Sequence, residues 1–499
     1  MAGGMKSLAK DTAIYGLSSI VGKFVNWCLT PLFTLVLPTG EYGLMTNLYS
    51  FTAVIIVILT FGMETGFFRF MNKGEDNPDK VYSTVLSFVG AMCIIFVSFC
   101  LIFLHPISRL LEYDNYPDFI AIMAIIIAID AFASIPSAFL RYQKKPLRFA
   151  MVKLSGIFTT IFFSVFFLLI CPRIHESNPA LISWFYNPDY RVGYVFVANL
   201  IGSSVSLLFL LPQLRGFKYS LDKRLTIAMI KYCLPLVILG IAGILNQTVD
   251  YILYPYLFED REYALSQLGI YAACGKLAII MTMFTQAFRF AYEPFIFARN
   301  KEEANDTKAY TEAMKYFIIF SLIIFLGVMF YMDIIKYFIP NPAYYEGLYV
   351  VPIIMTGYIL FGIYFNLSFW YKMMDKTYFG AIFSVTGCII IIAINIIFVP
   401  KYGYIASAWA TLTGNLVMML LSYYFERKYR PIPYDIKTIG FYFLLALALY
   451  AISYYVKISD KWLQVAFNTV LLIVFVGVIL KRDLPLSEIP GLNKLINKK

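Results

Sequence analysis

Charge is scarce in this chain. Asp, Glu, Lys and Arg make up 14% of its 499 residues, where a soluble globular domain carries about 25%. Histidine is scarcer still: His105 and His175 are the only two, and neither stands near a cluster of cysteines or carboxylates. That spacing predicts no metal site, since a zinc centre draws about four ligands together. The seven cysteines, Cys28, Cys93, Cys100, Cys171, Cys233, Cys274 and Cys388, lie in or beside apolar runs and never as C-x-x-C. They read as small buried hydrophobes, not as a disulfide frame. A phosphate-binding loop is lacking too. Gly269 to Lys276 has five residues between its glycines, and Leu277 stands where Ser or Thr is needed. No nucleotide or other cofactor is expected. Long polar connections are also missing, which leaves little room for an active site built on loops, and an enzyme is not expected.

What is present is one apolar run after another. The mean hydropathy is +0.72 and 60% of residues are hydrophobic. A spanning helix needs about 20 mostly apolar residues. Runs at 12–37, 43–70, 82–104, 117–140, 149–171, 191–211, 230–257, 267–298, 313–334, 346–371, 378–399, 404–424, 436–455 and 462–480 supply about fourteen. The expected fold is therefore an all-α, polytopic membrane protein. The first run is too long for the apolar core of a signal peptide, so a cleavable leader is not expected. Spans 2, 7 and 8 exceed the bilayer and must tilt, bend or protrude; Pro235 and Pro255 offer bends in span 7.

Basic residues alternate from side to side. Of the 41 Lys and Arg, 30 fall in or beside the connections and tails of one face and 8 in those of the other. The positive-inside rule puts the basic face, with both termini, in the cytoplasm. The net charge of +11 is then topogenic, and no nucleic-acid partner is expected.

Short signatures recur in order, roughly 210–230 residues apart. Thr30-Pro31 matches Tyr254-Pro255, Phe68-Arg69-Phe70 matches Phe288-Arg289-Phe290, and Lys145 matches Lys376. Val192-Gly193-Tyr194 matches Tyr402-Gly403-Tyr404. They predict two parallel, pseudo-symmetric six-helix bundles around a central cavity, at 1–225 and 226–430. Two further helices and a tail follow at 431–499.

Ionisable groups within spans are expensive and tend to face a cavity or a partner. They are Lys23, Glu64, Arg69, Asp130, Asp250, Lys276, Arg289 and Glu293, with Asn26, Asn246 and Gln247 as polar support. Most sit in spans 1, 2, 7 and 8, the equivalent helices of the expected repeat. Arg289 and Glu293 share a helix face at i,i+4 and suit a structural ion pair as well as a ligand site. Arg69 suits an interfacial, snorkelling position as well as a cavity.

The stretch Asn395 to Thr411, with Pro400, Gly403 and Ser407, resembles spans 11–12 of bacterial polysaccharide flippases of the multidrug/oligosaccharidyl-lipid/polysaccharide exporter superfamily. Similar stretches are Glu41-Tyr42-Gly43-Leu44, Gly62 to Phe70, Leu140 to Pro146, Asp250-Tyr251, Gly269 to Tyr271 and Phe290 to Phe295. Together they cover about residues 7–425. The resemblance implies an inner-membrane, O-antigen, capsule or exopolysaccharide flippase with a MATE-like fold. It would carry undecaprenyl-pyrophosphate-linked oligosaccharide to the periplasmic leaflet by alternating access, coupled to H⁺ or Na⁺. It also implies glycan polymerase or assembly proteins as partners. Lys23, Arg69, Lys276 and Arg289 would then bind the pyrophosphate. Glu64, Asp250 or Glu293 would couple the ion. Two rivals stand beside this reading. A multidrug or cation exporter of the same superfamily usually has twelve spans and an acidic pocket. A membrane glycan polymerase or ligase usually needs a larger outward loop than the stretch near 172–190.

Overall fold

The computed structural model describes residues 21–74, 76–216, 220–302 and 307–483. These residues are helical with no strand among them. Thirteen of their helices are long and apolar enough to cross a membrane, and a shorter apolar helix, α1 (Val21–Val36), precedes them. α1 belongs to the first expected span; residues 12–20 of that span, and the tail past 483, lie outside the described residues.

The long helices follow in order: α2 (Thr39–Lys73), α3 (Pro78–Ile102), α4 (Pro117–Tyr142), α5 (Pro146–Ser177), α6 (Pro188–Leu214) and α7 (Lys223–Tyr256). Then come α8 (Arg261–Glu302), α9 (Lys308–Phe330), α10 (Pro342–Met373), α11 (Tyr378–Tyr402), α12 (Tyr404–Tyr429), α13 (Ile436–Tyr455) and α14 (Lys461–Arg482). The expected all-α, multi-pass membrane architecture is the one observed. Several helices start earlier than their apolar runs because capping residues sit outside them. α7 begins at Lys223, where the Leu225 N–H donates to Asp222 Oδ1 at 2.8 Å. Lys80 pairs with the same carboxylate at 2.7 Å and, with the Leu225 N–H, holds it below its ordinary range.

Span 2 is broken rather than merely long. Phe61 and Gly62 both have positive φ, 49° and 63°, between helical segments Thr39–Thr60 and Met63–Lys73. A left-handed Phe costs about 1–2 kcal/mol, so the surroundings must hold it. Cys233 of α7 donates its S–H to the Gly62 carbonyl at 3.5 Å, an acceptor that the Thr65 and Gly66 N–H groups of the next segment share. Past the break, Met63–Lys73 carries Glu64 and Arg69. In span 7, Pro235 lies inside a continuous helix, whereas Pro255 lies in the 3₁₀ turn that ends it.

The chain packs as two compact units, Met1–Ala273 with Ser384–Ala410, and Cys274–Phe383 with Thr411–Lys499. In the first, α2, α3, α4 and α7 share one core. The rings of Tyr82 and Phe139 stack there at 4.2 Å, and the Tyr82 hydroxyl donates to the Gln213 carbonyl of α6 at 3.0 Å. In the second unit, Trp370 of α10 donates to Ser422 of α12 at 3.2 Å inside an aromatic core. α13 and α14 are fastened to α9 at both ends. Asn468 of α14 donates to the Phe330 carbonyl at 2.7 Å. At the other end Asp483 accepts from Lys315 at 3.0 Å and from Tyr442 at 2.6 Å.

Burial pushes the Asp483 carboxyl up, but the Tyr442 and Lys315 hydrogen bonds and the nearby cations outweigh it and hold it below the ordinary range. A depressed carboxylate adds stability above its unfolded pKa of about 3.9 and loses it as pH falls through the folded value. Asp483→Asn should therefore lower stability by about 1–3 kcal/mol at neutral pH. The gap between the two apparent melting temperatures, measured in detergent at fixed scan rate, should narrow below about pH 4. A gap independent of pH down to that range would remove the ion pair from the account.

Candidate functional site

The basic ends of the spans, at the α2–α3, α4–α5 and α6–α7 connections of the first unit, hold the first polar cluster. Glu64 accepts from Arg141 Nη2 at 2.5 Å. The Arg141 guanidinium also lies over the Phe68 and Phe149 rings at 5.2 and 5.7 Å. One face of the short helix after the Phe61–Gly62 break thus reaches the end of α4. Arg69 is exposed, with its guanidinium 4.0 Å from the centre of the Tyr232 ring. That contact anchors its orientation and leaves its donors able to meet an anion.

Deeper in the same unit, a cavity of about 670 Å³ brings together Asn26 of α1, Asp130 of α4 and Lys153 of α5. Tyr49 and Asn199 line it as well, hydrogen-bonded at 3.0 Å. Asp130 and Asn26, far apart in sequence, therefore share one polar space.

The opposite ends of the spans carry a third cluster. Asp250 is buried and accepts from the Tyr271 hydroxyl at 2.8 Å and from the Tyr251 N–H at 3.0 Å. One turn earlier, Asn246 donates to the Ser384 carbonyl at 2.8 Å, while its own side-chain oxygen is buried with no hydrogen-bond partner among the described residues. α11 and α12 turn at Gly403, φ 65°, where a glycine relieves the left-handed strain. Across that turn Ser407 donates to Asn395 Oδ1 at 2.7 Å, which gives a physical reason for both residues in the Asn395–Thr411 stretch.

Beside Asp250 the backbones of α2 and α8 touch. A Cβ placed on Gly43 would lie 1.8 Å from the Leu265 carbonyl oxygen, and one on Gly269 would lie 1.9 Å from that of Thr39. Only glycine permits this approach. Thr39 and Ser266 share a hydrogen bond of 2.6 Å across it. Asn47 then donates to the Tyr251 carbonyl at 2.7 Å and accepts from Tyr113 at 2.8 Å. Arg261 binds Glu112 and the Leu111 carbonyl, each at 2.6 Å, and lies over Tyr113 at 4.6 Å. Burial raises the Tyr113 phenol despite Arg261, so it remains a donor. These bonds tie α2, α7, α8 and the α3–α4 connection together at the opposite end of the first unit.

In the second unit, Glu293 of α8 lies between two cations. Arg289 Nε is 3.4 Å away and Lys372 Nζ, from α10, is 3.3 Å away. Both cations also lie over the Phe365 ring, at 4.4 and 4.6 Å. Glu426 of α12 is buried and accepts from the Tyr434 hydroxyl at 2.9 Å. Burial, and then the Glu426 charge, push the Tyr434 phenol well up and keep it a donor.

Of the other sequence candidates, Lys23 is exposed on α1, Lys276 is half-buried in α8, and Gln247 is exposed and bonded to the Gly243 carbonyl of its own helix at 3.2 Å. Conversely, Arg141, Lys372, Tyr271, Asn47 and Glu426 were not singled out as site residues. Arg141 lay in a recognisable connection motif. Lys372 sits at a basic span end, where a lysine reads as topogenic, and Glu426 lies among the cations of another such end.

Known proteins share this fold. A solved structure of the lipid II flippase MurJ in an inward closed conformation superposes with a TM-score of 0.74 at 15% identity, over 94% of this chain and 98% of that one. An inward-facing multidrug resistance MATE family transporter of the MOP superfamily gives 0.64 at 12% identity, over 87% and 99%. Among curated sequences, the Lsg locus putative protein 1 of Haemophilus influenzae is 20% identical over 299 residues, 59% of this chain and 67% of that protein. A family model described as polysaccharide biosynthesis protein matches residues 8–297, more than half of the chain, and the chain belongs to that family.

Proposed function

We propose that this protein is a flippase of the bacterial inner membrane. It moves undecaprenyl-pyrophosphate-linked oligosaccharide from the cytoplasmic to the periplasmic leaflet by alternating access, driven by an H⁺ or Na⁺ gradient. The basic span ends and both termini face the cytoplasm, and the repeated halves 1–225 and 226–430 are the moving bodies. The family match and the fold shared with a lipid II flippase support this reading. The observation that carries it is the Glu293 carboxylate held between Arg289 and Lys372. Two cations already gathered around one anion form a site where a pyrophosphate can displace the resident carboxylate. Arg69, on its Tyr232 ring, is a separate cationic candidate at a basic end of the first unit. Lys23 and Lys276 are secondary cations.

In this mechanism the Gly43–Gly269 contact is the periplasmic gate. Its closure belongs to the state that loads substrate from the cytoplasm. Asp250 beside it takes the coupling ion, with Asn246 in support. Glycan polymerase or assembly proteins receive the product. A second reading, export of organic cations, draws on the shared MATE fold, the cavity-lining Asp130 and the buried Asp250.

Three measurements in proteoliposomes bear on this. Arg289→Ala and Lys372→Ala should each slow transbilayer movement of a fluorescent lipid-pyrophosphate oligosaccharide about tenfold or more, the loss of one charge-assisted bond. Full-rate movement in both variants would sink the pyrophosphate site, and transport of organic cations alone would favour the exporter. Thr39→Cys with Ser266→Cys, in a Cys28→Ser background, should cross-link under oxidation, stop turnover and recover on reduction. Turnover that survives complete cross-linking would mean that this contact does not open. Asp250→Asn should abolish stimulation by an imposed ion gradient while leaving gradient-independent movement; stimulation equal to the parent protein would assign coupling elsewhere.

A further inference from the structure

The second unit contains a polar cavity of about 690 Å³ that none of these roles uses. It lies at the ends of α9, α10, α13 and α14 remote from their basic connections. Asp333, Tyr349, Tyr450, Tyr454, Lys457 and Gln464 line it. Two of its rings stand open, Tyr349 at 51% and Tyr454 at 59% exposure.

One wall is fixed by a chain of hydrogen bonds. The buried Asn468 donates to the Phe330 carbonyl at 2.7 Å. Its oxygen accepts from Ser453 at 2.8 Å and from Gln464 at 3.2 Å. Gln464 in turn accepts from the Ile458 N–H at 2.7 Å. At the rim, Lys336 pairs with Asp333 at 2.8 Å, and the Lys457 ammonium lies 5.6 Å from the Tyr454 ring centre.

We propose that this cavity binds the saccharide headgroup of the transported lipid-linked oligosaccharide on the periplasmic side, as an exit site. The inference rests on the translocation reading and the orientation given above. Its chemistry is that of sugar recognition. A pyranose has one face of C–H groups, which packs on an open tyrosine ring. Its edge of hydroxyls needs both donors and acceptors, which the Gln464 amide and the Asp333 carboxylate supply. The volume falls within the roughly 300–1,000 Å³ of small-molecule sites, where a few placed polar groups orient a ligand among apolar walls. An interfacial aromatic belt accounts for tyrosines at headgroup depth. It gives no reason for an ordered amide and hydroxyl network lining a cavity beside them.

The test uses the water-soluble oligosaccharide released by mild acid from the source cell's own lipid carrier. It is titrated against the full-length protein in nanodiscs, while movement of the intact lipid-linked form is measured in parallel. The Tyr349→Ala/Tyr454→Ala double variant should bind about tenfold or more weakly, because tyrosines anchor such contacts. Tyr349→Phe/Tyr454→Phe, which keeps both rings, should bind as the parent does. All three proteins should share one thermal unfolding profile, since the changed side chains are exposed. Equal binding by the parent and the alanine variant would overturn the site. So would absence of binding by a parent protein that still moves the lipid-linked form, and that result would leave the translocation reading standing. Binding that depends on the two rings, in a protein that moves no lipid-linked oligosaccharide, would instead overturn the translocation reading and with it the exit role. Neither binding nor movement would overturn both.

Discussion

A polar group inside an apolar slab has to bring its partner with it. Hydrocarbon offers no hydrogen bonds, and a lone charge at mid-bilayer costs at least about 2.5–3.5 kcal/mol. Three carboxylates of the described residues follow that constraint. Glu64 has Arg141, Glu293 has Arg289 and Lys372, and Asp250 has Tyr271 and the backbone of Tyr251. Each arrangement stabilises the fold only while its partners stay together. Under the proposed function, that dependence would let a substrate anion or a coupling ion act on the structure, because replacing one partner alters which helices are held together.

The backbone adapts at the same places. The left-handed pair Phe61–Gly62 turns the end of span 2 so that Glu64 meets Arg141. The close approach of Gly43 and Gly269 brings Thr39 onto Ser266 and Asn47 onto the carbonyl next to Asp250. The turn at Gly403 sets Ser407 against Asn395. In each case an irregularity within or between apolar helices accompanies a polar contact, as expected where non-regular backbone is tolerated only inside protein. The α13–α14 pair is different. It is fastened to α9 through Asp483 at one end and Asn468 at the other, and the second fastening doubles as the wall of the proposed exit cavity.

Much of this was legible beforehand, and the reason is the lipid. Apolar run length set the number and place of the helices, because the bilayer fixes how long a span must be. Scarcity of charge made Glu64, Arg289, Glu293 and Asp250 conspicuous. Their partners were not conspicuous. Arg141 lies 77 residues from Glu64 and Lys372 lies 79 from Glu293, and such pairings follow from helix packing, which periodicity does not encode. Lys372 is hidden for another reason: at a basic span end, a topogenic lysine and a bonded one look alike in sequence. The length of span 2 leaves tilt, bend and protrusion open, and Phe-Gly inside an apolar run does not decide among them.

The partners also separate the three acids that sequence left equal as coupling candidates. Glu64 meets an arginine, which stays protonated at any physiological pH, so its charge is already balanced. Glu293 is balanced twice, and its release from two cations suits exchange with a substrate anion better than capture of a cation. The contacts of Asp250 are a tyrosine hydroxyl and a backbone N–H, both neutral. They orient the carboxylate without cancelling its charge. The buried oxygen of Asn246 stands one turn away on the same helix without a hydrogen-bond partner among the described residues. A proton or a small cation arriving there would complete what the fold leaves open, and it would do so beside the glycine contact proposed as the gate. On these grounds the proposed ion coupling is better assigned to Asp250, and the proposed anion binding to the Arg289–Lys372 pair.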